Sequence, residues 1–420
     1  MYAGRVLRAG IIACLTAGAL GCASQGAPPL DLNTLPALQV AQAGPLRAVD
    51  AAARLDARDL LATTPAMRDF VARYAPDGSS PRHRLLSLHE AVRGAGGLSI
   101  RYDPAADGSA AWAFTQGDAN CLSFAHLFVA LARDTGLEAH YQWLDVRPQW
   151  TRVGERLTMR VHVNVMVRMP RGEQFMVDID PLQPRDVAGS RLLADHEAAA
   201  LHDNNLAMAA LAQGDLVAAF GHAVKALQLS ADLPLLWVNL GAIYRQTGQL
   251  DAVEWSLLQA LQRDSSERSA MNNLALLYDQ AGRIAERDEL LSRIQRHRER
   301  NPYFHAWRGD LAGERGDWGE ALAHYREALR LQPQDSALLA ATGIIHFKLQ
   351  QYAAAERLLQ QAIDGASLLS ERSEYAAQLE RVRQAGLRSV GPRQAGLRSV
   401  GPRQAGPPQV AVEATGSTRI

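Results

Sequence analysis

A spacing of 34 residues between pairs of turn residues dominates the second half of the 420-residue chain. Each pair lies between two short apolar patterns with helical spacing. A fixed period of this length, with a turn inside each unit, predicts stacked helix pairs that pack only against their neighbours. Residues 200–369 therefore predict five units of an all-α solenoid. The turn pairs are Gly214-Asp215, Gly248-Gln249, Gly282-Arg283, Gly316-Asp317 and Gln350-Gln351.

Two of these units carry a recognisable residue pattern. The second unit has Trp237, Leu240, Gly241, Tyr244, Val253 and Ala260, and the fourth has Gly309, Ala321, Tyr325, Ala328 and Pro333. In this order the residues resemble the tetratricopeptide repeat, in which small residues let helices approach closely and large ones fill the gaps. The resemblance implies a concave groove that binds a protein or peptide, either a substrate or a partner.

The first residues predict a targeting segment. "MYAGRVLRAGIIACLTAGALGC" has Arg5 and Arg8, followed by an apolar run too short to span a bilayer comfortably. Its end, "ALGC", resembles the bacterial lipobox, which implies a signal peptide over residues 1–21 and a lipoprotein lipidated on Cys22. An ordinary secretory signal is the alternative. Ala23 implies the outer membrane, so we expect a lipid-anchored protein of the bacterial cell envelope that faces the periplasm.

Two segments predict no packed structure. Residues 22–45 are rich in Ala, Gln, Gly and Pro, which is typical of a flexible tether. From Arg383 the decapeptide "RQAGLRSVGP" occurs twice in tandem, and a third copy breaks off after Gly406. Few of these residues are bulky and apolar, so they cannot bury a core. Residues 383–420 therefore predict a disordered tail.

The charge balance excludes one class of partner. The chain has 44 basic and 44 acidic side chains, and therefore no net field that would attract a polyanion. We expect no nucleic-acid partner, and we expect membrane contact only through the lipid on Cys22.

Between the tether and the repeats, helical spacing gives way to strand-like spacing. Thr64-Pro65 and Ser80-Pro81 are start signals for two helices. From residue 139 to residue 179, apolar and polar residues alternate, which is typical of strands. Helices followed by strands predict an α+β domain over residues 46–190.

The stretch "GDANCLSFAHLFVALARDTGLEAH" places Cys121 directly before an apolar helical pattern, and Gly136 lies where that helix would end. A cysteine at a helix N-terminus meets unpaired backbone N–H groups and the positive end of the helix dipole, which favour the thiolate. Of the other two cysteines, Cys14 is removed with the predicted signal peptide and Cys22 is lipidated. Cys121 is therefore a candidate nucleophile, and a buried, inert cysteine is the alternative.

A candidate base and a candidate acid follow on two predicted strands. In "RVHVNVMVR" the valines share one face, so His162 takes the other. "MPRGEQ" predicts a hairpin turn, and Asp178 and Asp180 both share the face of His162 in either register. Such a carboxylate would orient the imidazole and stabilise its charged form. The choice stays open, with Asp178 preferred because Asp180 precedes Pro181 at the strand exit.

The order Cys, His, Asp, with a cysteine at the head of a helix, resembles the transglutaminase-like superfamily of papain-type cysteine enzymes over about residues 85–181. The resemblance implies that Cys121 is the nucleophile, His162 the general base and Asp178 the orienting acid. By analogy with papain-type enzymes it also implies Gln116 as a side-chain oxyanion donor. The fold implied is a papain-like α+β domain.

The other histidines of this domain show no spacing of metal ligands. These are His83, His89, His126 and His140. We therefore expect no metal site, and no cofactor is implied.

Together these features predict a membrane-anchored cysteine enzyme whose repeats recruit a partner or substrate. The resemblance implies thiolate attack on an amide bond of a protein or peptide, giving a thioester that passes to water or to an amine. The alternative is a non-catalytic envelope scaffold, in which the repeats bind protein partners and the cysteine domain is structural.

Overall fold

The computed structural model describes residues 30–40, 44–56, 58–146, 149–150, 157–158, 161–180, 187–366 and 369–390. The chain divides into two compact units, Met1–Tyr141 with Leu192–Ile294 and Gln142–Arg191 with Gln295–Ile420. The predicted signal peptide and Cys22 lie outside the described residues. Within those ranges, no helix is both long enough and apolar enough to cross a bilayer.

The first unit has ordered structure inside the predicted tether. A 3-10 helix, Leu32–Thr34, precedes the antiparallel strands β1 (Leu38–Val40) and β2 (Gly44–Leu46), and helix α1 (Ala48–Ala52) follows. Leu38 is fully buried. The prediction of a flexible tether over residues 22–45 is therefore wrong for its described part, because buried leucine side chains hold this segment on the fold. The tether residues before 30 lie outside the described residues.

This segment is bound to the second repeat through its backbone. The hydroxyl of Tyr244 donates to the carbonyl of Pro36 at 2.5 Å. The side-chain amide of Gln249 donates to the carbonyl of Ala37 at 2.9 Å and accepts from the N–H of Gln39 at 2.8 Å. One amide thus satisfies a donor and an acceptor of the extended chain, as a neighbouring strand would.

Helices α2 (Pro65–Tyr74) and α3 (Pro81–Arg93) begin at the predicted signals. The side-chain oxygens of Thr64 and Ser80 each accept the N–H three residues later, at 3.2 and 3.3 Å. Proline follows each cap, where its fixed φ suits the helix and its missing N–H costs nothing.

Helix α5 (Cys121–Asp134) is the most deeply buried helix of this part of the first unit. Residues 122–132 are all buried, and Gly136, in the left-handed region at φ 75°, ends the helix as predicted. The N–H of Leu137 then donates to the carbonyl of Ala132 at 3.0 Å, which satisfies a carbonyl of the last turn. The elements that precede α5 in the chain are β3 (Arg101–Tyr102), α4 (Ala110–Gln116) and β4 (Asp118–Ala119).

Four strands form a sheet in the order β10-β5-β8-β9. Strands β8 and β9 are antiparallel, with Met166 opposite Met176 and Val165 opposite Val177. A second antiparallel pair joins β6 to β7. The strands are β5 (Glu138–Val146), β6 (Gln149–Trp150), β7 (Leu157–Thr158), β8 (Val161–Arg168), β9 (Gln174–Val177) and β10 (Val187–Leu193).

The repeats follow as five helix pairs. The four turn glycines that recur every 34 residues all have φ between 69° and 80°, and Gln350 takes the same left-handed conformation at φ 60°. The pairs are α6 (Asp195–Ala212) with α7 (Leu216–Leu229), α8 (Pro234–Gln246) with α9 (Leu250–Arg263), α10 (Arg268–Gln280) with α11 (Ile284–Glu299), α12 (Pro302–Glu314) with α13 (Trp318–Leu331), and α14 (Ser336–Lys348) with α15 (Tyr352–Gly365). The predicted fold class, an α+β domain followed by an all-α array, is confirmed.

A final helix, α16 (Leu369–Val390), closes the last pair. Tyr375, Leu379 and Val382 are buried in the core that the last repeat forms. The prediction of a disordered tail over 383–420 is wrong for residues 383–390, which continue this helix. Extending an existing helix costs far less than starting one, so the helix runs past its last buried residue. Residues 391–420 lie outside the described residues.

Close helix contact in the fourth pair predicts an intolerant glycine. A Cβ at Gly309 would lie 2.4 Å from the ring of Tyr325 on the facing helix, so Gly309→Ala should destabilise the protein by about 1–3 kcal/mol. The measurement is the unfolding midpoint in urea, followed by circular dichroism.

Gly319→Ala is the matched control. Its Cβ would meet only a side-chain oxygen of Asp317 at 3.6 Å, so it should stabilise by about 0.5 kcal/mol through helix propensity. Equal midpoints for the two variants would contradict close packing at Gly309.

Candidate active site

Cys121 is the first residue of α5 and is half-buried. The residue before it, Asn120, caps the helix, because its side-chain oxygen accepts the N–H of Ser123 at 2.8 Å. The backbone N–H groups of the first turn have no partner within the helix. Together with the dipole of this 14-residue helix, they favour negative charge at its N-terminus, where Cys121 lies.

A short turn, residues 106–108, holds the start of α5 in place. The carbonyl of Ala106 accepts from the N–H of Asn120 at 2.8 Å. The N–H of Gly108 donates to the hydroxyl of Ser123 at 2.7 Å, and Ser123 is fully buried. The residues on both sides of Cys121 are thus hydrogen-bonded to the same turn.

Gln116, the predicted oxyanion donor, is the last residue of α4 and is exposed. Strand β4 and Asn120 separate it from Cys121 in the chain. Its role stays a prediction. Two aromatic side chains of the same region, Trp112 and Tyr102, are 37% and 46% exposed.

The second unit brings His162 and Asp178 together. His162 Nε2 lies 2.5 Å from Asp178 Oδ2, and both side chains are buried. Asn164 Nδ2 donates to the same oxygen at 3.4 Å, and the backbone N–H of Asp180 donates to the other oxygen at 3.1 Å. Asp178 is therefore held by three groups, as a carboxylate needs when it is removed from water.

The hairpin register explains why Asp178 is the partner of the histidine. Continuing the pairing of Met166 with Met176 along the same face places Asn164 opposite Asp178 and His162 on the diagonal. The same register would place Asp180 directly opposite His162, but β9 ends at Val177, before that pair can form. The side chain of His162 reaches along that diagonal. Asp180 is exposed and contacts this cluster through its backbone.

The hydrogen bond to Asp178 uses one nitrogen of the His162 ring and fixes the ring's orientation. It leaves Nδ1 as the nitrogen that can take up or deliver a proton. An imidazole held in this way by a carboxylate is the arrangement that acid–base chemistry requires.

His126 of α5 belongs to a buried polar cluster whose other members sequence reasoning missed. His126 is fully buried, and its Nδ1 lies 2.7 Å from the hydroxyl of Tyr141. His202 of α6 lies next to it, with ring centroids 5.7 Å apart, and bonds to Asp107. Burial and, to a lesser degree, the charge of His202 lower the pKa of His126 to about 3. His126 is therefore a neutral core residue.

The residues around Cys121 that the sequence analysis did not single out are Asn120, Ser123 and Asp107. Of these, only Asn120 could have been predicted from the sequence, because asparagine directly before an apolar helical run is a preferred N-cap. Within the described part of the chain, no three His, Cys, Asp or Glu side chains are placed to share a metal ion.

Residues 68–179 match the transglutaminase-like superfamily, and residues 314–366 match the tetratricopeptide repeat. The chain therefore contains a transglutaminase-like core domain joined to tetratricopeptide repeats, and both resemblances predicted from the sequence are confirmed. The lipoprotein signal stays a prediction. A search of the curated proteins found none that matches the chain.

Solved structures with similarity to this chain are repeat proteins. The pilF protein of Pseudomonas aeruginosa is 17% identical, over 46% of this chain and 96% of that one, with a TM-score of 0.24. A tetratricopeptide repeat protein from Parabacteroides merdae is 20% identical, over 45% and 75%, with a TM-score of 0.22. YrrB, described as having an unusual peptide-binding site, is 16% identical, over 42% and 92%, with a TM-score of 0.22.

The buried, neutral His126 predicts a pH dependence of stability. Its pKa falls from an ordinary 6.5 to about 3 in the folded protein, so only the unfolded chain binds a proton between those values. The contribution of neutral His126 to the free energy of unfolding is fully present above about pH 6.5 and is lost as the pH falls toward 3. Between pH 7 and pH 5 the wild type should lose about 2 kcal/mol more unfolding free energy than His126→Gln.

The measurement is urea unfolding at both pH values. His196→Gln is the control, because His196 is exposed and its replacement should leave the pH dependence of the wild type. A parallel loss of stability in wild type and His126→Gln would contradict a neutral His126.

Proposed function

We propose that this protein is a cysteine-dependent enzyme that cleaves or transfers acyl groups from amide bonds of a protein or peptide substrate. The observation that carries the proposal is the buried hydrogen bond between His162 and Asp178 inside a transglutaminase-like core. A carboxylate buried against an imidazole stabilises the imidazolium that forms when the histidine accepts a thiol proton.

The proposed reaction has two steps. The thiolate of Cys121 forms a bond to the amide carbon, the C–N bond breaks, and His162 delivers a proton to the departing amine. Water or an amine then attacks the resulting thioester, giving up its proton to His162, and the C–S bond breaks. Water gives an acid, and an amine gives a new amide. Backbone N–H groups in the first turn of α5 are the proposed donors to the tetrahedral oxyanion, with Gln116 as an additional side-chain donor.

The repeats and the N-terminus supply the proposed location and partners. Stacked helix pairs form grooves that bind peptides, so the repeats are proposed to recruit the substrate or a protein partner. We further propose that a lipid on Cys22 anchors the protein in the bacterial outer membrane, facing the periplasm. Palmitate labelling of wild type and Cys22→Ala in cells tests this anchor, and equal labelling would contradict it.

Substitutions of the three proposed catalytic residues test the catalytic proposal. Cys121→Ala and His162→Ala should lower acyl transfer from a glutamine-containing protein to a dansylated amine, and the accompanying ammonia release, by at least about 100-fold. Asp178→Asn should lower both rates by at least about tenfold, because the imidazolium loses its buried counter-charge.

Asp180→Asn is the matched control, since Asp180 is exposed two residues away, and it should stay within about twofold of wild type. Wild-type rates in Cys121→Ala would contradict the proposal. The scaffold alternative would be favoured if Cys121→Ala co-purifies with the same proteins as wild type and fully restores the function of cells that lack the wild-type protein.

A further inference from the structure

The turn at residues 106–108 is itself held by the repeats. Its central residue, Asp107, lies between the two backbone groups that bond to Asn120 and Ser123. Asp107 Oδ1 lies 2.7 Å from Nδ1 of His202, a buried residue of the first repeat helix, α6. The turn that fixes the start of the cysteine helix is thus joined to the first repeat helix by a hydrogen bond between a carboxylate and an imidazole.

His202 is buried and Asp107 is half-buried. The His202 side chain is 4% exposed and that of Asp107 is 14% exposed. Burial raises the pKa of Asp107, but the hydrogen bond and the charge of His202 outweigh burial and hold this pKa below its ordinary value. A hydrogen bond to a carboxylate that is largely removed from water is strong, and removing the histidine leaves that carboxylate without this partner.

Helix α6 also holds the other end of α5. The guanidinium of Arg133, in the last turn of α5, bonds to both carboxylate oxygens of Asp195 at 2.6 and 2.9 Å. Asp195 is the first residue of α6. The first repeat helix therefore fixes the C-terminal end of α5 directly and its N-terminal end through the turn that carries Asp107.

We propose that His202 is a positioning residue: through Asp107, the first repeat helix holds Cys121 where the first-turn N–H groups stabilise its thiolate. The inference rests on the proposed function of Cys121 as a nucleophile. It makes the first repeat part of the catalytic unit, so the repeats position the cysteine in addition to any binding role.

Two readouts on the full-length protein test this role. The first is hydrogen exchange of the backbone amides of residues 120–124, which reports whether the helix start is held. The second is the pH profile of Cys121 alkylation by iodoacetamide, which reports whether the thiolate is stabilised. His202→Ala should raise exchange at least tenfold and should move the alkylation midpoint upward, toward that of an unstructured cysteine.

His222→Ala is the matched control. His222 of α7 forms the same kind of pair, its Nδ1 2.9 Å from Asp203 Oδ1, without a contact to the 106–108 turn among the described hydrogen bonds. It should leave exchange at residues 120–124 and the alkylation profile unchanged. His202→Asn, whose amide can donate to Asp107, should recover at least half of both effects.

The proposal is overturned if His202→Ala exchanges at residues 120–124 within twofold of wild type, or if His222→Ala raises that exchange equally. Increased exchange with an unmoved alkylation midpoint also overturns it. If His202→Ala does not fold, Asp107→Asn takes its place, with the same expected directions. A wild-type alkylation profile like that of an unstructured cysteine would contradict the proposed function, and the exchange comparison would then decide the positioning role alone.

Discussion

The start of helix α5 is the point on which the first unit depends. Asn120 caps the helix, Ser123 is fully buried against Gly108, and Cys121 lies between them. Because these bonds join the turn at residues 106–108 to a helix that is buried from 122 to 132, the cysteine has little freedom to move without disturbing the core. A helix start that is both capped and buried is also the arrangement in which backbone N–H groups interact most strongly with a negative charge.

The sheet keeps an imidazole and the carboxylate that bonds to it out of water. His162 and Asp178 are buried on a strand hairpin whose other face is apolar, with Val165 opposite Val177 and Val167 opposite Phe175. Asn164 and the backbone N–H of Asp180 complete the hydrogen bonding of the carboxylate, so the pair is buried without an unsatisfied oxygen on Asp178. The amide of Asn164 therefore has a role at this position as a donor to the carboxylate.

Periodicity made most of the fold predictable. The 34-residue spacing of turn glycines fixes the number of helix pairs, and strand parity alone places His162 and Asp178 on one face. Long-range contacts could not be predicted. Nothing near Asp107 in the sequence indicates His202, 95 residues away, and nothing in the Pro-rich start indicates that Gln249 will bind its backbone. Local composition reports how a segment behaves alone, whereas ordering here comes from surfaces that form elsewhere in the chain. The same reason accounts for residues 383–390, which are helical because a helix already reaches them.

The bonds from Tyr244 and Gln249 to the backbone of residues 36–39 hold the segment that follows Cys22 on the second repeat. With a lipid on Cys22, as proposed, the distance from residue 36 to the bilayer is at most the length of the chain from 22 to 36. An extended chain covers at most about 3.6 Å per residue, so about 14 residues reach no farther than about 50 Å, against about 85 Å for the full 22–45 segment. The length of this segment then limits how far the second repeat can move from the membrane surface. Such an enzyme would act on what lies in a thin layer beside its own bilayer, and distant targets would be excluded by geometry before any chemistry began.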